Sequence, residues 1–147
     1  MKGVIPMGRR VNETFLASFA ELDKKCCERF GIISGGITEY INRLNAARFA
    51  PGREEALPKL VRLRNLRNKM VHEPGAMRRV SEISKADVTW IKHFDRNFAR
   101  KKDPISLYLR KARALARRHR AQRTAIAVCA TLLVIAAVAV LFVTCSK

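Results

Sequence analysis

A short segment of the chain, residues 63–75 (LRNLRNKMVHEPG), contains side chains that can do chemistry on a phosphate. The imidazole of His72 can transfer protons, and Arg67 offers a planar fork of donors that suits a phosphate group. Asn68 can orient the imidazole or hold a ribose or phosphate oxygen. Histidine and arginine without metal-binding carboxylates suffice for RNA cleavage through the 2′-hydroxyl and suit metal-dependent DNA cleavage poorly. The alternative is structural, because a cationic histidine is favoured at a helix C-terminus.

The spacing of these residues along a helix determines which of them can contact the same ligand. At ~100° per residue, Asn65, Asn68 and His72 form a polar stripe on a helix, and Arg67 lies ~140° around the axis from His72. The opposite, apolar stripe comprises Leu63, Leu66 and Met70. A single regular helix therefore cannot direct Arg67 and His72 at one small target. Two copies of the helix that cross at a two-fold axis can do so, and unwinding of the last turn near Pro74 is the other possibility.

Further polar residues around this segment are candidates for substrate binding: Arg64, Asn65, Arg78 and Arg79. Arg64 lies beside the polar stripe, and the arginine pair follows the segment directly. Arginine forks bind phosphate oxygens in pairs, so these residues could extend a phosphate-binding surface. The other explanation for the pair at 78–79 is that it solvates a loop.

The apolar residues recur with helical spacing along the whole chain and predict an all-α fold: a small bundle of about four helices and a long fifth helix. The stripe of the first helix comprises Phe15, Phe19, Leu22, Cys26 and Phe30, and that of the second comprises Ile37, Ile41, Leu44 and Arg48, flanked by Tyr40 and Ala47. The third helix is predicted to start near Leu57–Pro58 and to end after His72, where Pro74–Gly75 follows.

Capping residues mark the last two helices. Ser84 followed by Asp87 resembles a capping box, and Asp103–Pro104 is typical of an N-cap followed by proline at the first helical position. No helix breaker follows Pro104, so we expect one helix of ~40 residues. Its predicted inner stripe comprises Ile105, Tyr108, Ala112, Leu115 and His119.

The end of the chain predicts a membrane anchor. Residues 125–144 contain no charged side chain, and at ~1.5 Å per residue this run is ~30 Å long, the thickness of a bilayer core. We therefore expect the fifth helix to continue into a transmembrane span over 124–144, with 145–147 as a short tail. The positive-inside tendency then places the N-terminal domain of a single-pass, tail-anchored protein in the cytoplasm.

The net charge of the chain is +18, and half of this excess lies in residues 100–123, which carry ten basic side chains and one acidic one. Residues 104–123 are thus expected to form a basic, amphipathic juxtamembrane helix. Anionic lipid headgroups are the simplest partner for such a helix, and RNA is the second possibility. The arginines assigned to the membrane interface are Arg113, Arg117, Arg118, Arg120 and Arg123.

The sequence predicts no metal and no cofactor. The four cysteines form no CxxC pair and show no His/Cys spacing for zinc. Cys26 or Cys27 is expected to be a small core side chain.

The stretch LRNLRNKMVH resembles the motif of the HEPN superfamily, which comprises small all-α domains found in nucleases, antitoxins and their partners. In that family an Arg with a polar residue straight after it precedes a His, and Arg67, Asn68 and His72 match this pattern. The resemblance implies a metal-independent endoribonuclease whose site is shared across a homodimer. In it, Arg67 would stabilise phosphate charge, His72 would act on protons and Asn68 would support both. Many HEPN domains lack activity and serve as RNA-binding or interaction modules.

On this basis, residues 1–103 form a HEPN-like helical domain, and the expected function is a membrane-tethered endoribonuclease of the toxin or defence type. Two alternatives remain. The first is a non-catalytic, tail-anchored assembly subunit that binds an unidentified protein partner. The second is an RNA-binding protein that is held at the membrane and does not cleave RNA.

Overall fold

The computed structural model of the chain describes residues 7–73, 75 and 82–145, with side chains at 10–73, 75, 82–133 and 135. The helices in these ranges are α1 (Met7–Phe30), α2 (Gly36–Ala46), α3 (Arg53–His72), α4 (Lys85–Ala99) and α5 (Pro104–Cys145). The same ranges contain no strand, which confirms the predicted all-α class.

The chain forms two compact units, Met1–Tyr108 and Leu109–Lys147. The first unit extends past the predicted domain boundary at 103, because Ile105 is buried in its core and Tyr108 packs against that core.

The core of the first unit is built from the apolar stripes of its helices. α1 packs against α2 and α4, and α2 packs against α3. Tyr40 of α2 makes edge-to-face contacts with Phe94 and Phe98 of α4, with ring centroids 5.5 and 5.8 Å apart. The residues of α1 that are buried as predicted are Phe15, Phe19, Leu22 and Cys26.

α2 starts at a point where its backbone nearly touches that of α1. A Cβ atom on Gly36 would lie 2.2 Å from the carbonyl oxygen of Asp23, so no larger residue fits there. Gly35 precedes it with a left-handed φ of 73°. Asp23 Oδ1 accepts a hydrogen bond from the backbone N–H of Ile37 at 2.8 Å. This carboxylate from α1 thereby caps α2, which has no cap from its own side chains.

Two helix boundaries differ from the sequence prediction. α2 ends at Ala46, so Arg48 lies beyond the helix and is exposed rather than part of an apolar stripe. α3 starts at Arg53 rather than near residues 57–58. Glu54 and Glu55 favour this earlier start because carboxylates are stabilised at the positive end of a helix dipole, and the helix accommodates Pro58 one turn later.

A buried carboxylate joins the start of α5 to the rest of the first unit. The side chain of Asp103 is fully buried and accepts hydrogen bonds from Arg29 and from the Tyr40 hydroxyl, each at 3.0 Å. It also accepts from the backbone N–H and the hydroxyl of Ser106, at 3.2 and 2.6 Å, and so caps α5 as predicted. Arg29 donates in turn to the carbonyl oxygen of Phe98. Burial, and then the charge of Asp103, raise the pKa of the Tyr40 phenol.

A second carboxylate joins α3 to α4. Asp87 and Ser84 form the predicted capping box at the start of α4. Arg62 of α3 donates to Asp87, and Lys59 Nζ lies 3.7 Å from the same carboxylate. Burial alone would raise the pKa of Asp87, but the hydrogen bonds from Ser84 and Arg62 and the charge of Arg62 outweigh it and lower that pKa.

α5 is one uninterrupted helix of 42 residues, as the lack of breakers predicts. Its described side chains are exposed from Leu109 onward. The predicted inner stripe therefore ends at Tyr108, and Ala112, Leu115 and His119 are not buried. The reason is that residues 109–123 carry seven cations and only two large apolar side chains, too few to form a face that needs burial.

No helix in the described part of the chain is long and apolar enough to cross a membrane. This finding contradicts the predicted transmembrane span over 124–144, and with it the single-pass, tail-anchored location. In the uncharged run that follows Arg123, side chains are described at 124–133 and 135. These are about half of the ~20 positions that a span needs. The membrane-interface role predicted for the arginines at 113–123 depended on that span.

We expect Asp103→Asn to lower the free energy of unfolding by about 2–3 kcal/mol, because Arg29 would keep its charge in a part-buried position without a carboxylate partner. The loss is below that of a fully buried pair because the Arg29 side chain is 25% exposed. Urea denaturation followed by circular dichroism measures it. Asp95→Asn, which removes a partner of Lys25 that is more exposed than Asp103 (18% against 0%), is the control and should cost at most about 1 kcal/mol. If both variants lose the same free energy of unfolding, Asp103 does not stabilise the first unit more than an ordinary surface ion pair does.

Candidate functional site

The polar stripe predicted for α3 is exposed along the second half of the helix. Asn65, Asn68 and His72 are exposed, whereas Leu63 is fully buried and Met70 is 5% exposed. The faces of α3 therefore agree with those predicted from the spacing. His72 stands at the last position of the helix with its imidazole accessible to a ligand.

The two arginines of the segment lie at the edges of this stripe and are half-buried. Arg67 Nη1 donates to Asn68 Oδ1 at 3.1 Å, and Arg64 Nη2 donates to Asn65 Oδ1 at 3.3 Å. Within the described residues, neither guanidinium forms an ion pair with a carboxylate. Since a guanidinium has five N–H donors, both arginines retain donors for a ligand.

Arg67 and His72 do not meet within one copy of the chain. α3 remains helical through His72 and gives way to extended backbone only at Glu73. The predicted alternative, in which the last turn unwinds, is therefore wrong, and the two side chains stay ~140° apart around the axis. Val71 lies between them on the helix circumference and is 52% exposed. One copy of α3 thus presents Arg67 and His72 on two different sides of the helix, where they cannot act on one small ligand.

A groove of about 460 Å³ lies beside α3 and is bordered by α1, the connection 31–35 and the start of α2. We call it the α1–α3 groove. Three cations line it, one from α1 and two from α3: Lys24, Arg64 and Arg67. Its uncharged polar lining comprises Ser34, Thr38 and Asn68. Asn65 and His72 are not part of this lining, so the structure brings together only some of the predicted site residues.

The carboxylate in the groove is already engaged. Asp23 Oδ1 caps α2 through Ile37, and Cys27 Sγ lies 3.9 Å from Asp23 Oδ2. Among the described residues, Lys24 pairs with Glu28 at a distance of 4.0 Å, and its side chain is 79% exposed. With three cations against one occupied carboxylate, the groove is positively charged and suits an anionic ligand.

The local pattern of the sequence did not predict Lys24, Ser34 and Thr38 as site residues, because they lie in α1, in the 31–35 connection and in α2, far before the segment 63–75. The one available signal was the pair Gly35–Gly36, since adjacent glycines often mark a close approach between backbones.

The other predicted residues lie elsewhere. Arg78 and Arg79 are outside the described residues. The arginines assigned to a membrane interface are all exposed on α5 in the second unit: Arg113, Arg117, Arg118, Arg120 and Arg123.

The described ranges contain no group of three or more His, Cys, Asp or Glu side chains that could hold a metal ion. Cys26 is a buried core thiol, as predicted, and burial raises its pKa to about 12. It therefore stays neutral at physiological pH.

Comparison with known proteins gives a family but no activity. Residues 13–128 match the model of a family of unknown function, DUF6548. No curated protein and no solved structure matches the chain. The matched region contains all of α2, α3 and α4, and with them the residues that line the groove. The chain therefore belongs to the DUF6548 family.

Proposed function

We propose that this protein acts on RNA as a metal-independent endoribonuclease of the HEPN type, with each active site formed by two copies of the chain. The observation that carries the proposal is the arrangement at the end of α3. His72 is exposed at the last helical position, and Asn68 lies one turn before it. Arg67 donates to Asn68 and has no carboxylate partner among the described residues. Membership of DUF6548 neither adds to nor limits this proposal, since the function of that family is unknown.

The reaction requires only these groups and the substrate. The His72 imidazole takes the proton of a ribose 2′-hydroxyl, and the 2′-oxygen attacks the adjacent phosphorus. The bond from phosphorus to the 5′-oxygen breaks, and that oxygen takes up a proton from solvent. The products are a 2′,3′-cyclic phosphate and a 5′-hydroxyl. Arg67 stabilises the negative charge that builds up on the non-bridging oxygens, and Asn68 orients the imidazole or a phosphate oxygen.

The helix geometry is the reason for invoking a second copy. Arg67 and His72 lie on different sides of one regular helix, but a two-fold axis across α3 brings Arg67 of one protomer towards the partner's His72. Val71, exposed between them, supplies an apolar contact for the partner helix. Because a two-fold contact is self-complementary, one such interface completes two equivalent sites.

We expect the purified full-length chain to cleave single-stranded RNA in the presence of EDTA and to leave 2′,3′-cyclic phosphate ends. Arg67→Ala and His72→Ala should each lower the cleavage rate by about 100-fold or more, because charge stabilisation and proton transfer each contribute on that scale. Gel analysis of a labelled RNA, followed by enzymatic end mapping, measures both rate and product.

Matched controls for these variants are His93→Ala, which removes an exposed histidine within α4, and Arg100→Ala, which removes the exposed arginine directly after that helix. Both controls should cleave at the wild-type rate. If the wild type cleaves no RNA, or if the α3 variants cleave as fast as the controls, the enzymatic proposal is wrong.

RNA binding without cleavage is a second candidate function, and the charge of α5 favours it. Residues 109–123 carry seven cations and no carboxylate, and all seven are exposed. Four of them fall within ~80° of the helix circumference and along ~15 Å of its axis, because they are three or four positions apart. We call this set the arginine ridge: Arg110, Arg113, Arg117 and Arg120. A row of cations with no competing anion favours contact with successive phosphates of a nucleic acid.

The ridge should contribute strongly to the salt dependence of RNA binding. Replacement of its four arginines by glutamine should reduce the slope of log Kd against log salt by about 3, since each phosphate contact on a single strand contributes ~0.7. Fluorescence anisotropy with a labelled RNA, titrated between ~50 and ~200 mM salt, measures the slope. Four glutamine replacements provide the control, three on α4 and one directly after it: Lys85, Lys92, Arg96 and Arg100. An unchanged slope in the ridge variant, with loss of binding to anionic vesicles instead, would identify lipid as the partner.

A further inference from the structure

The α1–α3 groove contains groups that the proposed cleavage step does not use. Lys24 and Arg64 line it from two helices, and the hydroxyls of Ser34 and Thr38 line it from the 31–35 connection and the start of α2. These four residues come from separate parts of the chain, and the fold brings them to one concave surface. His72 lies outside that surface, so the groove overlaps the cleavage centre only at Arg67 and Asn68.

The charge and donors of the groove favour an oxyanion. Arg64 and Arg67 are three positions apart on α3, so their guanidinium groups are neighbours on the helix surface. Both are half-buried, and a partly desolvated guanidinium bonds an anion more strongly than an exposed one. Asp23 is the only carboxylate among the described lining residues, and it accepts the hydrogen bond that caps α2. An anion that enters the groove therefore meets three cations and one carboxylate, a net charge of +2 that attracts it.

The size and geometry of the groove indicate which oxyanion it suits. Its volume of about 460 Å³ is that of a small-ligand site rather than of a surface for a folded partner. A phosphate presents several oxygens in a tetrahedral arrangement, which can meet two arginine forks and a hydroxyl at the same time, whereas a carboxylate presents two oxygens in a plane. Ile33, which is fully exposed, adds apolar surface to the lining, which suits a sugar or a base edge beside the phosphate.

We propose that the α1–α3 groove binds a backbone phosphate of the RNA next to the bond that is cleaved, and this assignment rests on the proposed function. Arg67 lines the groove and also belongs to the cleavage centre, so it marks where the two meet. Lys24, Arg64 and the hydroxyls of Ser34 and Thr38 hold the neighbouring nucleotide, and the strand passes from the groove over Arg67 to the partner's His72. This contact favours a strand over a single nucleotide as substrate.

The test uses inorganic pyrophosphate and an unlabelled RNA oligonucleotide as probes of the full-length chain. Amide NMR shifts upon addition of pyrophosphate should concentrate on residues 33–38 and 64–68, and the oligonucleotide should displace the pyrophosphate. Lys24→Glu and Arg64→Glu should each weaken pyrophosphate binding about tenfold or more, because an attracting charge becomes a repelling one. Arg64→Gln removes the same charge with a smaller change in shape and covers the case in which a glutamate variant fails to fold.

The control is the double variant Lys92→Glu with Arg96→Glu, which reverses two exposed cations on α4 away from the groove. It should bind pyrophosphate within about twofold of the wild type, a difference too small to reflect loss of a direct phosphate contact. Shifts spread evenly over the cations of the surface, or equal affinity in the groove and control variants, would overturn the proposal. A wild-type chain that binds pyrophosphate in the groove but cleaves no RNA would retain the phosphate site and refute the enzymatic function. RNA cleavage by the wild type, together with an unchanged affinity of Arg64→Gln for pyrophosphate, would retain the enzymatic function and refute the phosphate site.

Discussion

The buried carboxylate of Asp103 is the constraint on which the arrangement of the first unit depends. It accepts hydrogen bonds from Arg29 at the end of α1, from Tyr40 in α2 and from Ser106 in the first turn of α5. A buried charge is tolerated only where its partners satisfy it, so the ends of these helices must lie where these bonds can form. The stacking of the Arg29 guanidinium over the Phe98 ring, 3.3 Å from its centroid, adds α4 to the same junction.

The candidate site depends on this junction through the contact between α1 and α2. Once Arg29 and Tyr40 hold these helices together, Gly36 can approach the backbone of α1 and Asp23 can cap α2. The cap places the 31–35 connection and Thr38 beside α3, which packs on α2, and so forms the α1–α3 groove. Asp23 itself lines the groove, and among the described lining residues it stands against the three cations Lys24, Arg64 and Arg67. The groove formed in this way therefore keeps a net positive charge for a ligand.

The local features of the fold could be predicted from the sequence, because they depend on short-range chemistry. The apolar stripe of α1, the capping box of Ser84 and Asp87 and the N-cap at Asp103 all follow from residues within a few positions of one another. The faces of α3 were predictable for the same reason.

Features that depend on tertiary contacts could not be predicted in this way. The groove needs Lys24 and Thr38 beside α3, and no local pattern relates these positions. The stripe on α5 failed beyond Tyr108 because helical spacing indicates which side chains share a face, but not whether anything covers that face. The transmembrane prediction rested on hydropathy alone, and the finding that no described helix can cross a membrane contradicts it.

The central claim is that Arg67 and His72 act on one phosphodiester from two different chains. A subunit-mixing experiment tests it most directly: Arg67→Ala and His72→Ala, each inactive alone, are unfolded together, refolded at equal concentration and assayed for RNA cleavage. Random pairing makes half of the dimers mixed, and each mixed dimer regains one intact site of two, so the account predicts about a quarter of the wild-type activity. A mixture as inactive as its two components, under conditions where wild-type chains treated in the same way recover their activity, would contradict the claim.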